Sequence, residues 1–257
     1  MAQQQTPDPA RGVFETLLVV DGDPVELTAH LERLRASVEQ LYGEPLPAAA
    51  EELVRNGARG HERGRLRLDA RPQDGAIELI AKAVAIDPAI VFPPRDRGPK
   101  LRSHVVDGWQ GGHKWADRRL LESLEADSAP AAPLLVDGGG AVLETSRANV
   151  FAVRADGSLA TPPADGRILP GVARARAIEL ARAIGIEVTE TPLACADLTA
   201  AREVFLTGSV RGVEPLRAID GTPVGNGTPG LTEAIATELR QRWLGERAPA
   251  PNGDPAS

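Results

Sequence analysis

Three lysines, Lys82, Lys100 and Lys114, stand among 29 basic residues; the others are arginines. Only an amine can condense with a carbonyl to form a Schiff base, so each lysine has to be placed. Lys82 falls in an alternating strand pattern and Lys100 beside a proline-rich stretch, both settings for a solvated side chain. Lys114 lies in Gly111-Gly112-His113-Lys114-Trp115-Ala116-Asp117-Arg118, ahead of a helical pattern from about Trp115 to Ala126. The positive end of a helix dipole there would lower the ammonium pKa and favour the free amine. A solvated lysine beside a turn fits the same position.

Four more segments have residue types suited to binding. Glu144, in Leu143-Glu144-Thr145-Ser146-Arg147-Ala148-Asn149-Val150-Phe151, is either a carboxylate opening an irregular loop or a hairpin-edge charge. Arg167-Ile168-Leu169-Pro170-Gly171-Val172-Ala173-Arg174 places a Pro-Gly turn before a helix, whose free N–H groups attract anions. The run Phe205-Leu206-Thr207-Gly208-Ser209 is a strand breaking into small and hydroxyl residues, as a phosphate cradle or an ordinary loop would. The fourth is His30-x-x-Arg33-Leu34, on the first predicted helix.

The elements that must position these residues alternate along the chain. A strand is predicted over Val13–Val20, followed by a turn and a helix carrying Leu27, Leu31, Leu34, Val38 and Leu41 at helical spacing. A weaker helix spans about Ala48–Ala58. Strands follow at Arg65–Ala70 and Ile77–Ile86, joined by a turn over Arg71–Gly75. Beyond the Pro93-Pro94 stretch come a strand near Leu101–Val106, the Trp115–Ala126 helix, and a hairpin pairing Pro133–Val136 with Val142–Val153. A helix at Val172–Ile184, strands near Glu187–Glu190 and Glu203–Thr207, and a helix at Leu231–Trp243 complete the pattern.

In this order the segments resemble the class IV aminotransferase family, from about Gly12 to Gly221. That family holds pyridoxal 5′-phosphate on the fold-type IV scaffold and includes branched-chain and D-amino-acid aminotransferases and aminodeoxychorismate lyases. The resemblance implies a two-domain α+β or α/β fold. The polar, proline-rich ends and the Pro93-Pro94 stretch divide the chain into a disordered tail (1–11), a small α/β domain (12–92), a linker (93–98), a larger domain (99–245), cofactor-binding by the resemblance, and a second tail (246–257). The resemblance implies that Lys114 carries the cofactor as a Schiff base and that Glu144 pairs with the pyridine nitrogen. Arg33, the amides of Val172 and Ala173, and the Ser209 hydroxyl would hold the phosphate.

The sequence Phe14-Glu15-Thr16-Leu17 and the Arg118 that follows Lys114 are similar to lyase-type members. They imply a 4-amino-4-deoxychorismate lyase making p-aminobenzoate and pyruvate for folate synthesis. The alternative is an aminotransferase acting on a branched-chain or D-amino acid with a 2-oxo acid acceptor. A substrate with two carboxylates calls for arginines, and Arg65, Arg67 and Arg71 lie on or beside the strand that supplies them in the family. The family usually starts with an extra strand and turn. Only eleven residues precede Gly12 here, so the first sheet is expected to be trimmed. The one tyrosine, Tyr42, lies inside the first helix, away from any pocket role.

Composition narrows the rest. A net charge of −7 without a basic tract argues against a nucleic-acid partner. One cysteine, Cys195, excludes an internal disulfide and a cysteine-based zinc site, and no metal is expected. No apolar run is long enough for a membrane span and the N-terminus has no signal-peptide core, so the expected setting is cytoplasmic. The expected partners are a small-molecule substrate and a second copy of the chain.

Overall fold

A computed structural model describes residues 6–225 and 230–245. The predicted second tail (246–257) lies outside the described residues, and of the first (1–11) only residues 6–11 are described. Pro9–Arg11 forms a short 3-10 helix rather than a frayed end, with the Asp8 amide bonded to Asp117 and the Tyr42 hydroxyl donating to the Pro9 carbonyl.

The first sheet has the order β2-β1-β3-β4, built from β1 (Val13–Val20), β2 (Asp23–Pro24), β3 (Arg63–Gln73) and β4 (Ala76–Ala85). β1 is buried on both faces. Val13, Leu17 and Val19 pack under α1 (Leu27–Tyr42) and α2 (Ala50–Ala58), whereas Leu18 and Val20 join a second core made with later helices. Period-2 alternation thus gives one strand two jobs. α1 turns Leu27, Leu31, Leu34 and Val38 inward at helical spacing and stops at Gly43, whose left-handed backbone (φ 69°) lets its N–H close on the Glu39 carbonyl. The turn between β3 and β4 is tighter than Arg71–Gly75. Pairing runs on to Gln73 opposite Ala76, and Asp74 and Gly75, both at positive φ, make the two-residue reversal.

The remaining chain contributes two five-stranded sheets. One has the order β14-β13-β5-β6-β7, from β5 (Lys100–Val105), β6 (Ala132–Val136), β7 (Val142–Thr145), β13 (Ala218–Ile219) and β14 (Thr222–Pro223). The other, β10-β9-β8-β11-β12, uses β8 (Asn149–Val153), β9 (Leu159–Thr161), β10 (Val188–Glu190), β11 (Glu203–Gly208) and β12 (Gly212–Pro215). Helices α3 (Arg119–Ser128), α4 (Val172–Ala183), α5 (Cys195–Ala200) and α6 (Leu231–Leu244) complete the chain. Between the two sheets lies a core of Leu134, Val150, Val204 and Leu206. On the other side of β8 and β11, Phe151 and Phe205 stack at 4.9 Å under α4 and α6. Each such ring is worth about 2 kcal/mol of apolar burial.

Two predicted elements are redrawn. Val142–Val153 is not one strand but two, β7 and β8, in different sheets. Between them the Thr145 hydroxyl accepts from the amides of Arg147 and Ala148 and donates to the Ala148 carbonyl, which folds the chain sharply. The helix expected from Trp115 starts only at Arg119, because Trp115 is bridged to Val13 of β1. Residues 93–98 hold a 3-10 turn, Arg95–Arg97, and a Cβ on Gly98 would meet the Pro215 carbonyl at 1.8 Å.

Candidate active site

Lys114 is held by strand-like pairing, not by a helix start. Its carbonyl accepts from the Phe14 amide at 2.9 Å, and the Ala116 amide donates to Gly12 at 2.9 Å. Gly12 has φ 84°, and a Cβ there would stand 2.3 Å from the Ala70 carbonyl, so only glycine lets these segments close. The helix-dipole account of the Lys114 amine therefore fails, since four residues separate it from α3. Burial does the work instead. It pushes the ammonium down to about 8, helped by the positive charges of Arg33 and Arg118 and opposed by Glu15 and Glu144. The ammonium sits 4.9 Å from the centre of the Phe14 ring.

Glu144 ends up buried, at the end of β7. Its oxygens accept from Trp109 Nε1 (3.2 Å), the Leu169 amide (3.1 Å) and Asn149 Nδ2 (3.4 Å). Burial still pushes its carboxyl up to about 7, against the Leu169 and Trp109 donors and the charges of Lys114 and Arg33. Both groups sit within a pH unit or so of neutrality, the range where a proton moves at low cost. They share a cleft with Trp109, Arg118, Arg147 and Asn149.

Leu169-Pro170-Gly171 ties this cleft to its neighbours. Leu169 gives its N–H to Glu144 and its carbonyl to Asn149 Nδ2 (3.0 Å), and the Pro170 carbonyl takes Arg33 Nη1 at 3.0 Å. Gly171 caps α4 without a side-chain bond, leaving the first-turn amides of Val172 and Ala173 with no side-chain partner. A Cβ on Gly171 would fall 2.1 Å from Asn149 Oδ1. Thr207 lies opposite Asn149 on β11, and Ser209 follows half-buried in the turn to β12. The Thr207 hydroxyl is buried with no hydrogen-bond partner among the described residues, a cost that a bound acceptor would remove.

Arg33 is not free-standing. Its Nε and Nη2 grip Glu15 at 2.7 and 2.6 Å, and His30 Nδ1 reaches the same carboxylate at 2.7 Å. Burial would raise the Glu15 carboxyl, but Arg33 and His30 outweigh it and hold the group far below the usual range. The His30 ring, depressed by burial more than Glu15 raises it, is neutral near pH 7 and donates through Nδ1. An anchored guanidinium is pre-organised, with its outer N–H groups still to spend on an anion.

Of the three arginines singled out from sequence, Arg65, Arg67 and Arg71, only Arg67 reaches the Phe14 ring beside Lys114. It stacks 3.6 Å over the Phe14 ring while forking onto Asp69. Arg65 and Arg71 are exposed. At the cleft mouth, Arg118 and Arg147 share Glu125, and Arg118 also bonds the Ser146 carbonyl. Sequence reasoning missed Glu15, Phe14, Trp109 and Arg147 as parts of the site. The one signal for Glu15 is the His30–Arg33 spacing, which puts two donors on the same face of α1.

A sequence model of the family described as amino-transferase class IV matches residues 12–219. The chain belongs to the class IV aminotransferase family. A Methanocaldococcus jannaschii protein with a provisional branched-chain-amino-acid aminotransferase name is 30% identical, over 90% of this chain and 88% of its own. The crystal structure of 4-amino-4-deoxychorismate lyase from Pseudomonas aeruginosa superposes with a TM-score of 0.75 at 28% identity, covering 90% of each chain. A hypothetical aminotransferase from Mycobacterium tuberculosis in its pyridoxal-phosphate-bound form shares the fold, with a TM-score of 0.79 at 23% identity over 96% of this chain and 95% of that one. The α+β architecture is that of fold-type IV, and members of this class IV family use pyridoxal 5′-phosphate. The donor set fits that cofactor: an amine near pH 8, a buried carboxyl near 7, an anchored arginine, and amides and a hydroxyl with no side-chain partner among the described residues. No described helix is long and apolar enough to cross a membrane.

Proposed function

We propose that this class IV enzyme is a pyridoxal-phosphate-dependent 4-amino-4-deoxychorismate lyase, eliminating pyruvate to leave p-aminobenzoate. The observation that carries the reading is Arg67, whose guanidinium stacks on the same Phe14 ring that the Lys114 ammonium approaches. A guanidinium there, with Arg118 lining the cleft, suits a substrate bearing two carboxylates; a branched aliphatic side chain would call for an apolar wall.

In this reading Arg33, the Val172 and Ala173 amides, Ser209 and the Thr207 hydroxyl would hold the phosphate, Lys114 would hold the aldehyde carbon, and Glu144 would meet the pyridine nitrogen. The bound cofactor supplies an electron-accepting ring. Glu144, near 7, keeps a proton available on that nitrogen's side. Lys114 Nζ would take the proton from the amine-bearing carbon of the substrate, and its lowered pKa supplies the free amine that this needs. Loss of enolpyruvate makes the ring aromatic, which drives the step.

Aminotransfer on a branched-chain substrate is the second reading, supported by the name of the Methanocaldococcus jannaschii relative. Incubation with aminodeoxychorismate, and separately with leucine plus 2-oxoglutarate, separates the two. p-Aminobenzoate and pyruvate are expected in the first. Glutamate from the second, with no p-aminobenzoate from the first, overturns the lyase reading.

A further inference from the structure

Glu26 occupies the residue before α1 with a left-handed backbone, φ 54° and ψ 32°, which non-glycine residues rarely adopt. Its side chain does not cap its own helix. The carboxylate turns instead to α4, where Arg176 Nε and Nη2 donate to its two oxygens at 2.9 and 2.8 Å. Trp243 of α6 adds a third donor at 3.3 Å, and Arg176 is itself steadied by Glu179 at 2.8 Å. The Glu26 side chain is 13% exposed and that of Arg176 32%, so the pair is partly shielded from solvent.

The spacing gives the pair a purpose. Further along α1, Arg33 bonds the carbonyl of Pro170, just ahead of α4. The seven residues from Glu26 to Arg33 rise about 10 Å in a helix, and the six from Pro170 to Arg176 cover at least about 9 Å. The two segments therefore run past each other in opposite directions, tied at two points of matching separation. One tie holds the anion-binding guanidinium against the start of α4. The other, a full turn inside α4, fixes the angle at which that contact is made.

We propose that Glu26 and Arg176 are positioning residues for the cofactor phosphate, setting α1 in register with α4 so that Arg33 and the Val172 and Ala173 amides meet one anion. The inference rests on the phosphate assignment above. Neither residue touches the cofactor; each acts through the helix that carries the phosphate donors.

The test compares two ligands on the full chain stripped of cofactor: pyridoxal 5′-phosphate and pyridoxal, which differ only by the phosphate. Glu26→Gln and Arg176→Gln should each raise the Kd for pyridoxal 5′-phosphate about tenfold, the size of one lost strong ion pair, and change the Kd for pyridoxal less than about twofold. The exchange Glu26→Arg with Arg176→Glu should recover most of the loss, which also shows that the fold survives. Equal weakening of both ligands, or none, overturns the proposal. Arg33→Gln is the control for the assignment beneath it. If Arg33→Gln lowers the phosphate preference and the Glu26 and Arg176 variants do not, the positioning role alone is wrong. If Arg33→Gln leaves that preference intact, the phosphate assignment falls, and the positioning role with it.

Discussion

Lys114 and Glu144 owe their chemistry to burial, and this makes their pH behaviour predictable. The Lys114 amine becomes neutral through about pH 8, so capture of pyridoxal 5′-phosphate by the stripped enzyme should speed up from pH 6.5 and level off above 9. A stopped-flow absorbance profile rising instead towards pH 10.4 would describe an ordinary solvated lysine. Lys114→Ala should leave the fold intact and abolish borohydride-stable labelling; label at wild-type level would move the amine elsewhere. For Glu144 the sign is opposite to a paired carboxylate. Its folded pKa, about 7, lies above the unfolded value, so the folded state binds the extra proton and stability falls as pH rises from about 4 to 7. Glu144→Gln should therefore stabilise the cofactor-free chain at pH 8 by about 2 kcal/mol, with little effect at pH 4. Calorimetry at the two pH values checks this; equal changes at both would refute it. Motif order identified these two residues from sequence. Glu15 was hidden, because a glutamate in an apolar strand has no sequence mark until the helix that pairs it is placed.

The α4 start and the end of β11, the proposed phosphate site, can be tested by opposite effects. Thr207→Val keeps the shape and removes a buried hydroxyl that has no partner among the described residues. It should raise the stability of the cofactor-free chain by up to about 1 kcal/mol and still weaken pyridoxal 5′-phosphate binding several-fold. Stability lost together with affinity would mean that the hydroxyl serves the fold. Element boundaries were legible where local pattern governs, as in α1, α4 and β1. They were not where a distant partner decides. The α3 start is delayed because Trp115 pairs with Val13, and the β7–β8 break rests on a threonine turn without Gly or Pro. Likewise β13 pairs with β5, more than a hundred residues away, in two residue pairs that carry no periodic signal.

On the scale of the whole molecule, β4 is the open edge of the first sheet and carries Ile80 at 39% exposure. We propose that two copies pair on this side, over at least about 1,000 Å². Sedimentation at micromolar concentration should give twice the chain mass, and Ile80→Glu should shift it towards the monomer; an active monomeric wild type would refute the pairing. Sheet order was the part of the fold least legible in sequence, since no residue of β7 or β8 announces which sheet it joins. The cleft mouth bears on a different property. Arg118, Arg147 and the Lys114 ammonium stand against the carboxylates of Glu125 and Glu122, leaving a small local positive charge on a chain whose net charge is −7. An anionic ligand is repelled by the molecule at long range and attracted only near the opening. At 0.01 M salt the Debye length of about 30 Å lets the repulsion dominate, and at 0.1 M it shrinks to about 10 Å. Association of pyridoxal 5′-phosphate should therefore quicken as salt rises over that range, the reverse of ordinary steering of opposite charges, and Arg147→Glu should slow it at every point of the series.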